Sequence, residues 1–126
     1  MSHRHIIRPR YGEIDMQGVV FNAHYLAYCD DACDSWFRAV FANFEEQGWD
    51  FMLKKAEITW EGASRLGDVL DIDVNVRRWG RTSFDIGFAG AVGERPVFEA
   101  IITYVCVKPG TVEAMPVPDD ARARLS

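Results

Sequence analysis

The sequence predicts an α+β domain in which one long amphipathic helix lies across an antiparallel set of strands. Three observations carry that prediction. From about Ala23 the residues Tyr25, Leu26, Tyr28, Cys29, Cys33, Trp36, Phe37, Val40, Phe41 and Phe44 recur at steps of three and four. That is the period of a helix burying one wide stripe. From Ala56 the period becomes two, with Ala56, Ile58 and Trp60 alternating with Glu57, Thr59 and Glu61, as in strands with one packed and one wet face. The later connections, Gly67-Asp68, Trp79-Gly80-Arg81, Gly93-Glu94-Arg95-Pro96 and Pro109-Gly110, are too short for helical crossovers and imply hairpin-linked neighbours.

In chain order, residues 4–11 read as a first strand, at an edge or ending there because Pro9 has no N–H for a ladder. The loop Asp15-Met16-Gln17-Gly18 leads into the helix, whose stripe runs through five turns to Phe44. Asp31, Asp34, Ser35 and Arg38 mark its wet side. Gln47-Gly48-Trp49-Asp50 breaks the helical period, with Gly48 as the stop. In residues 70–77, Leu70, Ile72, Val74 and Val76 alternate with Asp71, Asp73, Asn75 and Arg77, and Phe84, Ile86 and Phe88 continue the pattern in the next strand. The last strand, Val97 to Val107, is more continuously apolar, which predicts burial on both faces, centrally or against another subunit. Pro116 to Arg124 reads as a short, capped final helix. One helix covers one sheet face, so self-association is expected.

The chain has 126 residues, the length of a single domain, 1–126, able to bury a core without disulfides or metal. Hydrophobic content of 48% and charged content of 26% are ordinary for a globular protein. No apolar run is long enough for a membrane span, and arginines interrupt the N-terminus where a signal peptide would be apolar. Three cysteines, an odd number, suit reduced thiols in the cytoplasm. A net charge of −5 argues against broad binding of nucleic acid or anionic membrane. It leaves room for a small anion held by local arginines.

Several chemistries are absent from the sequence. Gly62-Ala-Ser-Arg-Leu-Gly67 has the wrong spacing for a nucleophile elbow, and there is no phosphate loop or dinucleotide fingerprint. Cys29 and Cys33 stand four apart without a second ligand pair, which fits helix packing better than metal binding. His3 and His5 alternate along a terminal strand as incidental imidazoles. Asp15 is either a turn or capping aspartate or an acid placed near the positive end of a helix, where free N–H groups from Gly18 to Asn22 stabilise developing negative charge. Asp30, at the margin of the stripe, has a perturbed proton affinity or accepts a structural hydrogen bond. Arg77, Arg78 and Arg81 are either a solvated hairpin tip or, with Thr82 and Ser83, a rim for polyphosphate.

Asp15-Met-Gln-Gly-Val-Val-Phe-Asn-Ala-His-Tyr-Leu26 resembles the D-x-x-G-V-V-[YF]-x-x-x-Y motif of the 4-hydroxybenzoyl-CoA thioesterase family of hotdog-fold acyl-CoA thioesterases. The likeness continues through Ala63-Ser-Arg-Leu-Gly-Asp68, Trp79-Gly-Arg-Thr-Ser-Phe84 and Val105-Cys-Val-Lys-Pro109, and so spans nearly the whole chain. It implies a hotdog fold, a long central helix wrapped by a curved antiparallel sheet of about five strands, assembled as a homodimer or homotetramer. It implies hydrolysis of an acyl-CoA to free acid and CoA with no cofactor, CoA being part of the substrate.

The same resemblance makes Asp15 the catalytic carboxylate, nucleophile or general base. It places Gly18 and the Asn22 N–H at the thioester carbonyl, and Val20, Phe21, His24 and Tyr25 beside the substrate. It assigns the nucleotide end of CoA to Arg78, Arg81, Thr82 and Ser83. One departure is Asn22, where many members carry histidine; the nearby histidine here is His24. Two rivals stand beside hydrolysis: a hydratase or dehydratase acting on acyl thioesters, and a non-catalytic acyl-CoA-binding subunit.

Overall fold

A computed structural model describes all 126 residues. Strand β1 spans Ser2–Ile7, helix α1 His24–Val40, strand β2 Asp50–Trp60, β3 Leu70–Trp79, β4 Ser83–Val92 and β5 Arg95–Val107, and helix α2 closes the chain at Asp119–Leu125. Single 3-10 turns cover Tyr11–Glu13 and Phe44–Glu46. The strands form one antiparallel sheet in the order β1-β3-β4-β5-β2. No helix is long and apolar enough to cross a membrane.

Helix α1 buries Tyr25, Tyr28, Cys29, Ala32, Cys33, Trp36 and Phe37 against one face of the sheet. That face is built from Leu70, Ile72 and Val74 of β3, Phe84, Ile86 and Phe88 of β4, and Phe98, Ala100, Ile102 and Tyr104 of β5. Each large side chain removed from water there contributes about 1.5–3 kcal/mol, so this interface dominates the stability of the fold. Cys29 and Cys33 are free, buried thiols of the core. Asp30 is exposed and accepts a hydrogen bond from the buried Tyr104 hydroxyl at 2.8 Å, which is the structural role. His3 faces Ser35 at 3.2 Å and His5 faces Asp31 at 2.9 Å, tying β1 to the helix.

Several expectations are corrected. The helix is 17 residues long and stops at Val40. Phe41 turns extended, at φ −112° and ψ 113°, and Phe44 reaches the core from the following 3-10 turn, so the apolar stripe outlasts the helix. The first strand starts earlier, at Ser2, where it pairs with Asn75, and it ends at Ile7 ahead of Pro9, which cannot continue the ladder. Strands β2 and β3 are not neighbours: β2 pairs with β5, with Trp60 opposite Phe98, and residues 61–69 carry the chain across to the other side of β4. Strand β5 is central but not buried on both faces, since Glu99 and Ile101 are exposed between buried neighbours. Helix α2 follows Pro118 without a side-chain cap; Asp119 and Asp120 in its first turn complement the dipole instead.

One glycine is required by packing rather than by a turn. A Cβ on Gly90 of β4 would meet Cε1 of Phe98 at 2.2 Å. The Phe98 ring lies over that bare backbone and contacts Tyr25 of α1 at 5.2 Å between centroids. This stack joins the sheet to the first turn of the helix.

Candidate active site

The segment before α1 is a small closed hairpin. Asp15 N–H donates to the Val19 carbonyl at 2.9 Å, and Gly18 N–H donates to the Asp15 carbonyl at 3.0 Å. Gly18 sits at φ +78°, a left-handed conformation suited to glycine. Ile14 bridges Val20, and Phe21 N–H donates to the Glu13 carbonyl at 3.0 Å. Residues 13–21 therefore face one another in register, with Asp15 near the tip.

Two tyrosines, three apart on one helix face, fasten this hairpin from both sides. The Tyr25 hydroxyl lies 2.8 Å from Oγ of the fully buried Ser64, whose carbonyl receives Val20 N–H at 2.9 Å. The Tyr28 hydroxyl donates to Glu13 at 2.8 Å, and Arg10 N–H donates to the same carboxylate at 2.8 Å. Sequence reasoning missed Glu13, Ser64 and Tyr28 as parts of the site. Tyr25 and Tyr28 at a spacing of three were the available signal, but their partners lie 39 and 15 residues away.

Burial alone would raise the pKa of Glu13. The hydrogen bonds from Arg10 and Tyr28 outweigh it and hold the carboxyl below its ordinary value of 4.5. A depressed folded pKa means stability that is present above 4.5 and lost as pH falls through the folded value. Glu13→Gln is accordingly expected to cost about 1–2 kcal/mol near neutral pH. The gap to wild type should narrow as pH drops below 4.5, as measured by denaturant unfolding at a series of pH values. A gap independent of pH would contradict it.

Asp15 is half-buried. Its Oδ1 accepts from Gln17 N–H at 2.8 Å, an Asx turn, and Oδ2 receives nothing from the chain. One oxygen therefore holds the turn while the other keeps its lone pairs. The Gly18, Val20 and Phe21 amides are all engaged, so Gly18 shapes the loop and supplies no donor. Asn22 and Ala23 N–H donate to no protein acceptor. Ala23 is the N-terminal cap of α1 and has no side chain to cap with, so the positive end of the helix is left open around these amides.

Two residues expected beside the substrate belong to the core: Val20 is 3% exposed and Tyr25 2%. The motif positions that do face outward are Phe21, 48% exposed, Asn22, and His24, whose ring meets Phe21 edge-on at 6.1 Å. Tyr11, Met16 and Leu66 are also exposed, which leaves large apolar side chains uncovered around the hairpin. No concavity of the single chain is lined by Asp15 or Asn22. The most voluminous, about 460 Å³, is lined by Glu61, Asp71, Asp73 and Glu99, with Arg4 as its one cation and already paired to Asp71, so the lining carries net negative charge.

The arginine turn is at the other end of the sheet. Gly90 and Phe98 mark the hairpin's end, and Ser83 opposite Val105 marks the far end. Seven residues of strand separate Gly90 from Ser83, roughly 23 Å at the ordinary rise. Arg78 is not free there: it pairs with Asp85 at 3.0 Å and donates to Ser83 Oγ at 3.2 Å, and its guanidinium holds the Asp85 carboxyl below the usual range. Arg77 lies over Gly87 and donates to Asn75. Arg81 is exposed and enters no ion pair, and Thr82 is half-buried beside it. Of the expected rim, Arg81 and Thr82 remain available.

Residues 9–125 match the thioesterase-like superfamily. The 1,4-dihydroxy-2-naphthoyl-CoA hydrolase of Synechococcus elongatus is 26% identical over 115 residues, covering 87% of this chain and 85% of the relative. That of Microcystis aeruginosa is 25% identical over 114 residues, covering 87% and 83%. Among solved structures, a mutant 4-hydroxybenzoyl-CoA thioesterase complexed with 4-hydroxybenzoyl-CoA superposes with a TM-score of 0.88 at 20% identity, over 99% of each chain. A 1,4-dihydroxy-2-naphthoyl-CoA thioesterase from Synechocystis gives 0.85 at 18% identity, over 99% of this chain and 96% of that one. These structures share the fold.

Proposed function

Because this chain belongs to the thioesterase-like superfamily, with relatives named as CoA hydrolases, we propose that it hydrolyses an acyl-CoA thioester to the free acid and CoA. It is an enzyme, a thioester hydrolase. The observation that carries the finer reading is a carboxylate with one free oxygen on the loop that leads directly into an uncapped helix start. Asp15 keeps Oδ2 unpartnered, and the Asn22 and Ala23 amides are the donors left over at the head of α1.

In the reaction an oxygen nucleophile adds to the thioester carbon, the carbonyl oxygen gains negative charge, and the C–S bond then breaks. Free N–H groups at a helix N-terminus stabilise that oxygen until the C–S bond breaks and the carbonyl re-forms. Asp15 acts as general base, taking the proton of the attacking water and passing it to the departing thiolate, or as nucleophile, forming an anhydride that water opens. Thiolate leaves readily, so a histidine acid is not required and Asn22 is compatible with turnover. The relatives and several structural neighbours act on aromatic acyl groups by name. The exposed Phe21 ring beside His24 suits the same class here.

The working enzyme in this reading is a homodimer or a higher homo-oligomer. Strand β2 is a sheet edge, with Met52, Leu53 and Trp60 exposed along it. Antiparallel pairing of β2 with β2 of a second copy, by a two-fold axis, sets the hairpin end of one chain beside the arginine end of the other. This supplies the second wall that the single chain lacks, and it explains why the acid and the arginines lie at opposite ends of one sheet. Arg81→Ala is expected to raise KM about tenfold for acyl-CoA, the loss of one charge-assisted contact of about 1.5 kcal/mol. Acyl-pantetheine esters, which lack the nucleotide, should be unaffected. Equal effects on the two substrates remove the arginine turn from the site.

A further inference from the structure

The turn between β3 and β4 has every carbonyl occupied. The Gly80 carbonyl accepts from the Arg122 guanidinium of α2. The Arg81 carbonyl accepts from Val117 N–H at 2.9 Å and from Arg122 at 3.4 Å. Cys106 N–H donates to Thr82 and Gly80 N–H to Ser83, both at 2.7 Å. Arg122 also lies over the Trp79 ring, 5.6 Å from its centroid, and the Trp79 indole donates to Ser126 at 3.0 Å. Helix α2 is anchored beneath by buried Ala121 and Leu125.

These contacts fix which way the turn's amides point. Every peptide bond is trans, so each N–H points opposite to the preceding carbonyl. The Gly80 and Arg81 carbonyls are both drawn toward the C-terminal segment. The Arg81 and Thr82 N–H groups therefore face away from it, and neither has a protein acceptor. Two adjacent outward amides with an unpaired guanidinium make an anion-receptive surface.

We propose that Arg122 is a positioning residue, whose fork across the Gly80 and Arg81 carbonyls holds the 80–83 turn with its amides and Arg81 presented to the phosphates of CoA. This rests on the assignment of that turn to the nucleotide end of the substrate. Arginine suits the task because its planar fork spans two carbonyls while its face stacks on an indole. A lysine at 122 keeps the charge but not the span.

The test is calorimetric titration of the full chain with adenosine 3′,5′-bisphosphate, the nucleotide end of CoA, together with KM and kcat for acyl-CoA and acyl-pantetheine. Arg122→Ala is expected to weaken the bisphosphate and raise the acyl-CoA KM about tenfold, as for losing a charge-assisted contact, with kcat and the pantetheine KM unchanged. Arg122→Lys should fall between it and wild type. Arg124→Ala is the structural control, because Arg124 ties the same helix to the Val40 carbonyl and stacks on Phe41 without touching the turn. It should lower Tm and leave bisphosphate affinity at the wild-type value. Wild-type affinity in both Arg122 variants, or equal losses in Arg122→Ala and Arg124→Ala, overturns the positioning role. If Arg81→Ala also binds like wild type, the assignment of the turn to the nucleotide fails first and takes this inference with it.

Discussion

Asp15→Asn is expected to cut thiol release from an acyl-CoA by about a thousandfold, the middle of the range for removing a positioned base, while folding and substrate binding persist. The substitution is nearly isosteric. An asparagine Oδ1 still accepts from Gln17 N–H, which the aspartate holds at 2.8 Å, so the Asx turn and the Asp15–Val19 and Gly18–Asp15 hydrogen bonds survive. What disappears is the negative charge and the basicity of Oδ2. Stability should stay within about 0.5 kcal/mol of wild type, as for a surface substitution that keeps its hydrogen bond. A variant that turns over at the wild-type rate would reduce Asp15 to a turn residue. A variant that unfolds would show the charge is needed by the hairpin, and binding of the unhydrolysed ester separates the two cases.

Gly90→Ala is expected to have the largest effect on stability. The added methyl would sit 2.2 Å from the Phe98 ring and 2.6 Å from its Cδ1, well inside contact distance. Phe98 is 1% exposed and has nowhere to swing, so the strands must part or the ring must leave its rotamer. Such overpacking costs about 1–3 kcal/mol. The damage should not stay local. Phe98 packs on Tyr25, Tyr25 holds Ser64, and the Ser64 carbonyl holds Val20 at the base of the Asp15 hairpin. Activity is therefore expected to fall along with Tm, although Gly90 touches no proposed site group. Phe98→Leu on the Gly90→Ala background makes room for the methyl and should restore part of the Tm. A Gly90→Ala protein with unchanged Tm would mean that the Phe98 ring does not cover this glycine.

The helix and the alternating strands were legible because burial imposes its period directly on the sequence. Leu70, Ile72 and Val74 point inward as the alternation requires. The strand order was not legible, because it depends on residues 61–69, where a buried Ser64 bonds to Tyr25 and Val20 at the start of the helix and the chain does not turn back into a hairpin. The loop ahead of the helix was readable from its motif, while its closing as a hairpin, with Ile14 bridged to Val20, was not. Which amides stay free was not readable, because Gly18 N–H closes its own turn and Val20 and Phe21 N–H bond to Ser64 and Glu13. Val20 and Tyr25 lie in the core, and a motif records that a residue matters, not whether it faces the ligand or the core. The partner of Arg78 was not readable, because Asp85 stands opposite it on the neighbouring strand, seven residues on.

The most direct measurement is the rate of free-thiol release from short, long and aromatic acyl-CoAs by the wild-type chain and by Asp15→Asn, assayed together. The account predicts steady release by wild type, fastest on the aromatic ester, and release near background from the variant with the ester still bound. No thiol from any ester in the wild-type reactions, or equal release by both proteins, contradicts it.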